Sequence, residues 1–447
     1  MNNIEYNGEN VKAVLTFGNG LVYIAEQNNI SDRIIKRWAK DKKENNTAGN
    51  PLGIPQSGTI SLQIIDYNDL LVLTNEQSPY HGYLKENVKI EMFRLKDDEW
   101  IPFGVYYTDG WASSVEYGKG YLTNISGRDI ITHISMLEIP KLPAFASIKA
   151  TDVLNYLLQG CGLTTDQYEI DDGIDLNIPY LIKKGKYMGY ILKELCNALI
   201  SVIVSDDTGK IIIKRAFLQS GKSLGVVDAG MLLNMQIREN GDKIYDAVKV
   251  TYSSVAVGVS RKLSEILGYT IKSGDDFIDN IEIPDNTIGI DGVSFKYKID
   301  KDTTCKLDSV SYQGFQGGLT VQTVNKGEDI VTDVSIIGRT SSEATAFVYD
   351  SEHSTEVNDV NTLNINNIYI QNKTTAQKYA DQVLDYLRQI SHKVSIRCFF
   401  GLDVDCGKTF TIKDAETSII NGTYYITSLH IEGGTSYICN IEAIKID

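Results

Sequence analysis

The residues able to do chemistry in this sequence are few and scattered. Histidine occurs five times, at His81, His133, His353, His392 and His430. These positions lie far apart in the chain, and a lone histidine is more often a surface or satisfied core residue than a general base. Asp403-Val404-Asp405-Cys406 offers two carboxylates and a thiol, but its spacing fits no metal-ligand pattern. A polar turn feeding a strand at Lys408 is the plainer reading. Asp171-Asp172-Gly173-Ile174-Asp175 opens like a calcium loop and lacks the closing Glu six residues after the glycine, so it too reads as a turn. Asp206-Asp207 is one of many carboxylate pairs in an acidic chain and specifies no hydrolysis. The six cysteines (Cys161, Cys196, Cys305, Cys398, Cys406 and Cys439) form no Cys-x-x-Cys pair and read as small buried hydrophobes. The sequence contains no phosphate-cradling Gly-x-x-x-x-Gly-Lys-Ser/Thr, no Gly-x-Gly-x-x-Gly after a strand, no His-Glu-x-x-His and no Gly-x-Ser-x-Gly. The expectation is therefore a protein that is not an enzyme, with no catalytic residue, no cofactor-binding residue and no metal ligand.

Composition points the same way. The chain has 447 residues, 42% apolar and 23% charged, which describes a globular protein of two to four domains. No apolar run approaches the roughly 20 residues of a membrane helix, and Met1-Asn2-Asn3-Ile4-Glu5-Tyr6 lacks the basic and apolar regions of a signal peptide. A net charge of −15 disfavours specific binding to nucleic acid, which requires clustered Lys and Arg. The acidity is uneven: Val255 to Leu363 carries 9 basic and 18 acidic residues and reads as a separately solvated unit. The 26 tyrosines could stack sugars or make interfaces, although strand enrichment accounts for them as well.

With no chemistry to position, the elements themselves carry the information. Residues 1 to about 145 alternate with period two, as in Val11-Lys12-Ala13-Val14-Leu15-Thr16-Phe17, turn at Gly18-Asn19-Gly20, and resume at Leu21-Val22-Tyr23-Ile24. Ile34 to Trp38 is a further strand, and Asp41 to Asn50 reads as part of a long polar loop. More strands are expected at Gly58 to Ile64, Val88 to Phe93, Trp100 to Tyr107, Ala112 to Tyr117 and Gly120 to Gly127. The period then changes. Val153, Leu154, Leu157 and Leu158 form a helical stripe ending at a C-cap glycine, Gly160, and Met188, Ile191, Leu192, Leu195 and Leu199 form a second. A hairpin follows, Val202 to Val204 and Ile211 to Ile213. Tyr245 to Tyr252 is a strand, and the acidic block beyond it holds strands at Ser294 to Ile299, Gly318 to Val324 and Ile330 to Ile337. The last module alternates from Leu363 to Ile370. It then forms a helix whose apolar face is Ala376, Tyr379, Ala380, Val383, Leu387 and Ile390, with Thr374 and Gln377 at capping-box spacing. Four strands close the chain, at Val394 to Phe399, Lys408 to Ile412, Tyr424 to Ile431 and Tyr437 to Ile444. The fold class expected is α+β, mainly β. Two antiparallel β-barrels occupy 1–147 and 219–254 with 364–447, a small α/β domain occupies 148–218, and a β-rich insertion occupies 255–363.

This order of parts resembles the baseplate hub family of phage tails, which includes hubs of contractile phages, tail-associated proteins and phage-derived bacteriocins and is related to the type VI secretion spike. The local phrasing is similar too: Ile125-Ser126-Gly127-Arg128-Asp129 ends the first barrel, Ile337-Gly338-Arg339 and Tyr349-Asp350 precede the last module, and Leu363 to Gln371 leads into a helix containing Tyr379-Ala380. The resemblance implies that both barrels are tail-tube-like. It implies a homotrimer at the tail tip, assembled in the bacterial host cytoplasm. Its ring would adapt the six-fold tail tube, or a distal tail protein, to a three-fold central spike or tape-measure protein. Because the sequence stops at Asp447, any spike tip or lysin is expected on another polypeptide. DNA would pass through the lumen without specific binding, and a net-acidic wall would help it slide. Two other functions stay open, a cell-surface glycan- or receptor-binding tail component and a tail-associated cell-wall hydrolase. The parent particle, phage or tailocin, contractile or not, is left undecided by the residues.

Overall fold

The alternation that begins the chain closes on itself. In a computed structural model, the structure describes residues 10–446 apart from 28–31, 45–54, 117–119, 141, 143–146, 182–184, 217–222, 228, 240–244, 255–259, 273, 285–286, 298–317, 326–328, 341, 350–360, 390–391, 400–402, 414–419 and 435–436. The chain is mostly β, with 55% strand and 15% helix. Seven strands form a ring: β1 (Val11–Thr16), β2 (Val22–Glu26), β3 (Arg33–Lys43), β4 (Thr59–Asp66), β5 (Lys89–Lys96), β6 (Glu99–Glu116) and β7 (Gly120–Asp129). The order around the ring is β3-β2-β1-β5-β6-β7-β4, and β4 pairs back to β3. Val11, Ala13 and Leu15 of β1 are fully buried while Lys12, Val14 and Thr16 are not, as the period of two requires.

Two strands in the ring differ from expectation. Asp41 to Lys43 continues β3, and the next residue, Glu44, is buried with Lys40 and Lys42. A polar run reads as loop only when its charges have no partners, and here they are paired. Residues 45–50 of that expected loop lie outside the described residues. The strands expected at Trp100 to Tyr107 and Ala112 to Tyr117 are one strand, β6. It changes partner midway: Glu99 to Tyr107 pairs with β5, and Tyr106 to Glu116 pairs with β7.

A second body follows. It contains α1 (Ile130–Ser135), β8 (Ile148–Lys149), α2 (Ala150–Gly160), β9 (Tyr168–Ile170), β10 (Asn177–Ile178), α3 (Met188–Ala198), β11 (Ser201–Ser205) and β12 (Ile211–Arg215). Gly160 is the last helical residue of α2. The glycine in the left-handed conformation is Gly162, φ +87°, whose N–H donates to the Gln159 carbonyl at 2.9 Å.

The remainder divides among four sheets. The strands β13 (Ser223–Val227) and β14 (Leu232–Glu239) come first, followed by β15 (Ala247–Ser254). The acidic block supplies β16 (Arg261–Ile271), β17 (Gly274–Glu282), β18 (Thr287–Tyr297), β19 (Gly318–Asn325), β20 (Ile330–Thr340) and β21 (Ser342–Tyr349). Then come β22 (Thr362–Asn367), α2's longer counterpart α4 (Lys373–Gln389), β23 (His392–Cys398), β24 (Thr409–Ile412), β25 (Gly422–Gly433) and β26 (Tyr437–Lys445). Six of these pair in the order β13-β24-β25-β26-β23-β14. This sheet joins the ring through β25, which pairs with the second half of β3. One apolar core runs under both, from Leu15, Trp38 and Phe103 to Phe410, Tyr424 and Ile441.

Tyr245 to Tyr252, expected to open the second barrel, lies elsewhere. The strand β15 pairs with β21 and, in parallel, with β22. The helix α4 packs on β15 and β21, and its Tyr379, Val383 and Tyr386 share a core with α2, α3 and β11. The apolar faces are as expected. What decides their destination is that Val248, Val250, Leu363 and Ile365 complete the core of the small α/β body. The cap of α4 also shifts, because Asn372 Oδ1, rather than Thr374, accepts the N–H of Thr375 at 2.8 Å. In the insertion, β16 and β18 flank β20 over a small core of Ile281, Ile283, Val334 and Ile336.

Candidate functional site: an ionic junction and a polar sheet face

The residues singled out for chemistry do not converge. His133 stacks on Tyr107 at 5.2 Å between ring centroids, His430 pairs with Asp41 at 2.7 Å, and His353 lies outside the described residues. Among the described residues no three His, Cys, Asp or Glu side chains gather as a metal ion requires. Asp171 Oδ1 accepts the N–H of Gly173 at 2.8 Å, a local turn. Cys196, Cys398 and Cys439 are buried and lie outside any disulfide, and burial pushes the Cys196 thiol up to about 12.

Asp403, Asp405 and Asp207 do have a role, which is to fasten three bodies together, whereas Asp206 closes its own hairpin turn by accepting the N–H groups of Thr208 and Lys210. Period-two geometry aims Lys40, Lys42 and Glu44 from one face of β3 and its end. Lys40 Nζ donates to Asp207 at 2.7 Å and to the Phe103 carbonyl at 2.8 Å, above the Phe103 ring. Lys42 Nζ reaches Asp405 at 2.8 Å, and Lys214 Nζ reaches Glu44 at 2.5 Å. Thus β3 of the ring is tied to the small body through Asp207 and Lys214, and to the six-stranded sheet through Asp405. Desolvation raises the Asp207 carboxyl, but Lys40 and Lys42 outweigh it and hold the group down at about 2. Asp403 joins the same border from the other side, accepting from Lys96 at 2.6 Å and from Arg94.

A second fastening centres on Asp129. Its carboxylate caps α1 by accepting the Ile131 N–H at 3.1 Å, and it also accepts from the Gly58 N–H at 2.7 Å, Ser57 Oγ at 2.8 Å and Ser205 Oγ at 2.6 Å. Burial pushes its pKa up, against the pull of those donors. The Ile-Ser-Gly-Arg-Asp phrase therefore ends on the residue that pins the small body to the ring. No periodicity marks it.

The other feature is a broad polar face. Across β3, β4, β7, β25, β26, β23 and β14, the side chains that point away from the shared core are mostly polar or charged, with the apolar Ala39 and Ile438 among them. They include Arg37, Asp41, Lys43, Arg397, Glu432 and Glu442, with Gln63, Asn124, Asn234 and Asn440 between them. Those six charges are three of each sign, and by register Arg128 and Lys393 lie on the same face. The face crosses the seam between ring and sheet, where Gly433 stands opposite Trp38 and a Cβ at that glycine would run into the indole.

This arrangement, a closed barrel continuous with a second β-sheet and carrying an inserted α/β body, defines a mainly β fold. No family model matches the chain, and no curated protein does. Solved structures do. A tail protein from Neisseria meningitidis MC58 superposes with a TM-score of 0.54 at 9% identity, covering 97% of this chain and 96% of that one. The 43 kDa tail protein of prophage MuSo2 from Shewanella oneidensis gives 0.53 at 13% identity, over 97% and 98%. The chain has the fold of these phage tail proteins, from end to end, and the resemblance read from the residues holds at the level of fold.

Proposed function

We propose that this protein is a structural hub of a phage tail or phage-tail-like particle, acting through interfaces and without catalysis. In this reading it forms a homotrimer at the tail tip that adapts a six-fold tube, or a distal tail protein, to a three-fold central spike or tape-measure protein. The observation that carries the reading is the fold shared over 97% of the chain with tail proteins. A tail location and contacts with other tail proteins go with it, as does assembly in the bacterial host cytoplasm. The division of the chain into four parts is kept as a proposal with its bounds changed: 130–135, 247–254 and 362–389 group with 148–218, whose core they share.

The polar sheet face is the wall we assign to the conduit. Its mixed charges support a lining without the acidic excess expected from the net charge. DNA would then slide because carboxylates stand among the Lys and Arg side chains of the wall. Light scattering of the purified chain tests the hub reading. A stable species of three 49.7 kDa subunits is expected, and a monomer at every concentration, with and without added tail tube, would overturn it.

A further inference from the structure

Two cysteines that lie far apart in sequence meet across the six-stranded sheet. Cys398, the last residue of β23, stands directly opposite Cys439 of β26 in their antiparallel register. Both side chains point into the shared core and are fully buried. The other cysteines of the described residues lie elsewhere. Cys161 packs on the small body and Cys196 within it, and Cys406 sits at the border of the shared core before β24.

Register alone brings the pair within reach of a disulfide. The Phe399 N–H donates to the Met231 carbonyl at 3.1 Å, on the β14 side of β23. Alternation therefore turns the backbone groups of Cys398 toward β26 and makes Cys398 and Cys439 a hydrogen-bonded pair, with Cα atoms about 5.5 Å apart. Bridged cysteines have Cα atoms about 4.4–6.8 Å apart. Their Cβ atoms, about 5 Å apart across such a pair, need to close to about 4 Å. The Cys398 thiol now rests 3.7 Å from the Cys439 carbonyl oxygen. It already lies over the partner strand, and rotation about its Cα–Cβ bond turns it toward the facing sulfur.

The backbone here can yield. Cys398 ends its strand, and on its other side the pairing of β23 with β14 is irregular between Leu232 and Asn234. Strand ends open locally at lower cost than the middle of a sheet, which admits a small reagent to thiols that the closed fold covers. The segment between the two cysteines carries Asp403 and Asp405 of the ionic junction, β24, and β25 with its seam to β3. A bridge across the ends of that segment restricts it in the unfolded chain and so favours the folded one.

We propose that Cys398 and Cys439 are an oxidisable pair, and that a disulfide between them locks the six-stranded sheet and the segment that ties it to the ring. The oxidant is a small-molecule disulfide. The thiolate of one cysteine attacks it and releases half of the reagent as a thiol. The thiolate of the other then attacks the mixed disulfide and releases the second half. The protein loses two hydrogens and the reagent gains them. The lock is independent of the hub reading.

Glutathione disulfide added to the folded full chain, followed by a non-reducing tryptic map, tests the pair. The result expected is a peptide holding Cys398 joined to one holding Cys439. The joined species should persist in Cys406→Ser and vanish in Cys398→Ser and in Cys439→Ser. The urea midpoint of the oxidised chain should rise, return to its starting value with dithiothreitol, and stay unmoved by the reagent in Cys398→Ser. Cys398→Ala repeats the comparison if the serine variant does not fold. No joined peptide, with the partly exposed Cys161 modified as proof that the reagent is active, would overturn the pair. A link that survives Cys398→Ser would do the same by placing it at Cys406. A joined peptide with an unchanged or lowered midpoint would overturn the lock.

Discussion

The seven-stranded ring and the six-stranded sheet are written in the same alternating language and end differently. In the ring every strand has two neighbours, because β4 returns to β3. In the sheet β13 and β14 stand at opposite ends, and among the described residues neither pairs with the other. The two share one core and differ only in how their edges are satisfied. Closure inside the chain makes the ring self-sufficient, whereas an open edge leaves hydrogen-bonding groups for another molecule. Alternation specifies faces, and neighbours specify whether a sheet is a finished object or a part.

The strongest way to break this comparison is to truncate the shared core on each side of the seam. Phe103 of the ring and Phe410 of the sheet are both fully buried. Phe103→Ala and Phe410→Ala should each cost about 3–5 kcal/mol and lower the same calorimetric transition. Two transitions that respond separately would show that ring and sheet are independent bodies. Next comes the junction that ties them. Lys42 and Asp405 are 9% and 14% exposed at their side chains, so Lys42→Ala, which leaves a carboxylate without its partner, should cost about 3 kcal/mol in urea unfolding. The double change Lys42→Met with Asp405→Leu should restore stability to within about 1 kcal/mol of native. A double variant as unstable as the single would mean that the pair does more than satisfy itself.

Asp129→Ala should cost about 2 kcal/mol, because it strands the buried Gly58 N–H and two serine hydroxyls and removes the cap of α1. No change in unfolding midpoint would remove Asp129 from its place between ring and small body. The Asp207 pair predicts a smaller, pH-dependent effect. In the fold its carboxyl sits at about 2, below the ordinary aspartate value. Its ionised form therefore stabilises the fold above about pH 4, and that contribution is lost as pH falls through about 2. The stability gap between the native chain and Asp207→Asn should be constant above pH 5 and close toward pH 2. A gap that widens on acidification would reverse the assignment. Smallest of all, Asp385→Ala on the exposed face of α4 should change stability by less than about 0.5 kcal/mol, since its pair with Arg388 lies in solvent.

Much of the architecture was legible in the residues, and the misses share a cause. The apolar period located β1, β2, β5, α3 and α4 within a few positions, because burial of one face is a local demand on the chain. Lys40, Lys42 and Glu44 were unreadable as strand, because their partners Asp207, Asp405 and Lys214 are distant in sequence. The carboxylates at 403, 405 and 207 work as ties between bodies, and such ties leave no spacing to find.

By itself the sequence determined the alternation, the helices, the acidic block and the absence of recognised catalytic motifs. Each of these is written in neighbouring residues. Only the tertiary structure decided that β6 is one strand with two partners, that β15 and α4 complete the small body's core, and that ring and sheet are one surface. Those outcomes depend on which apolar face meets which and on which edge finds a strand, and a face or an edge does not name its partner until the chain has folded.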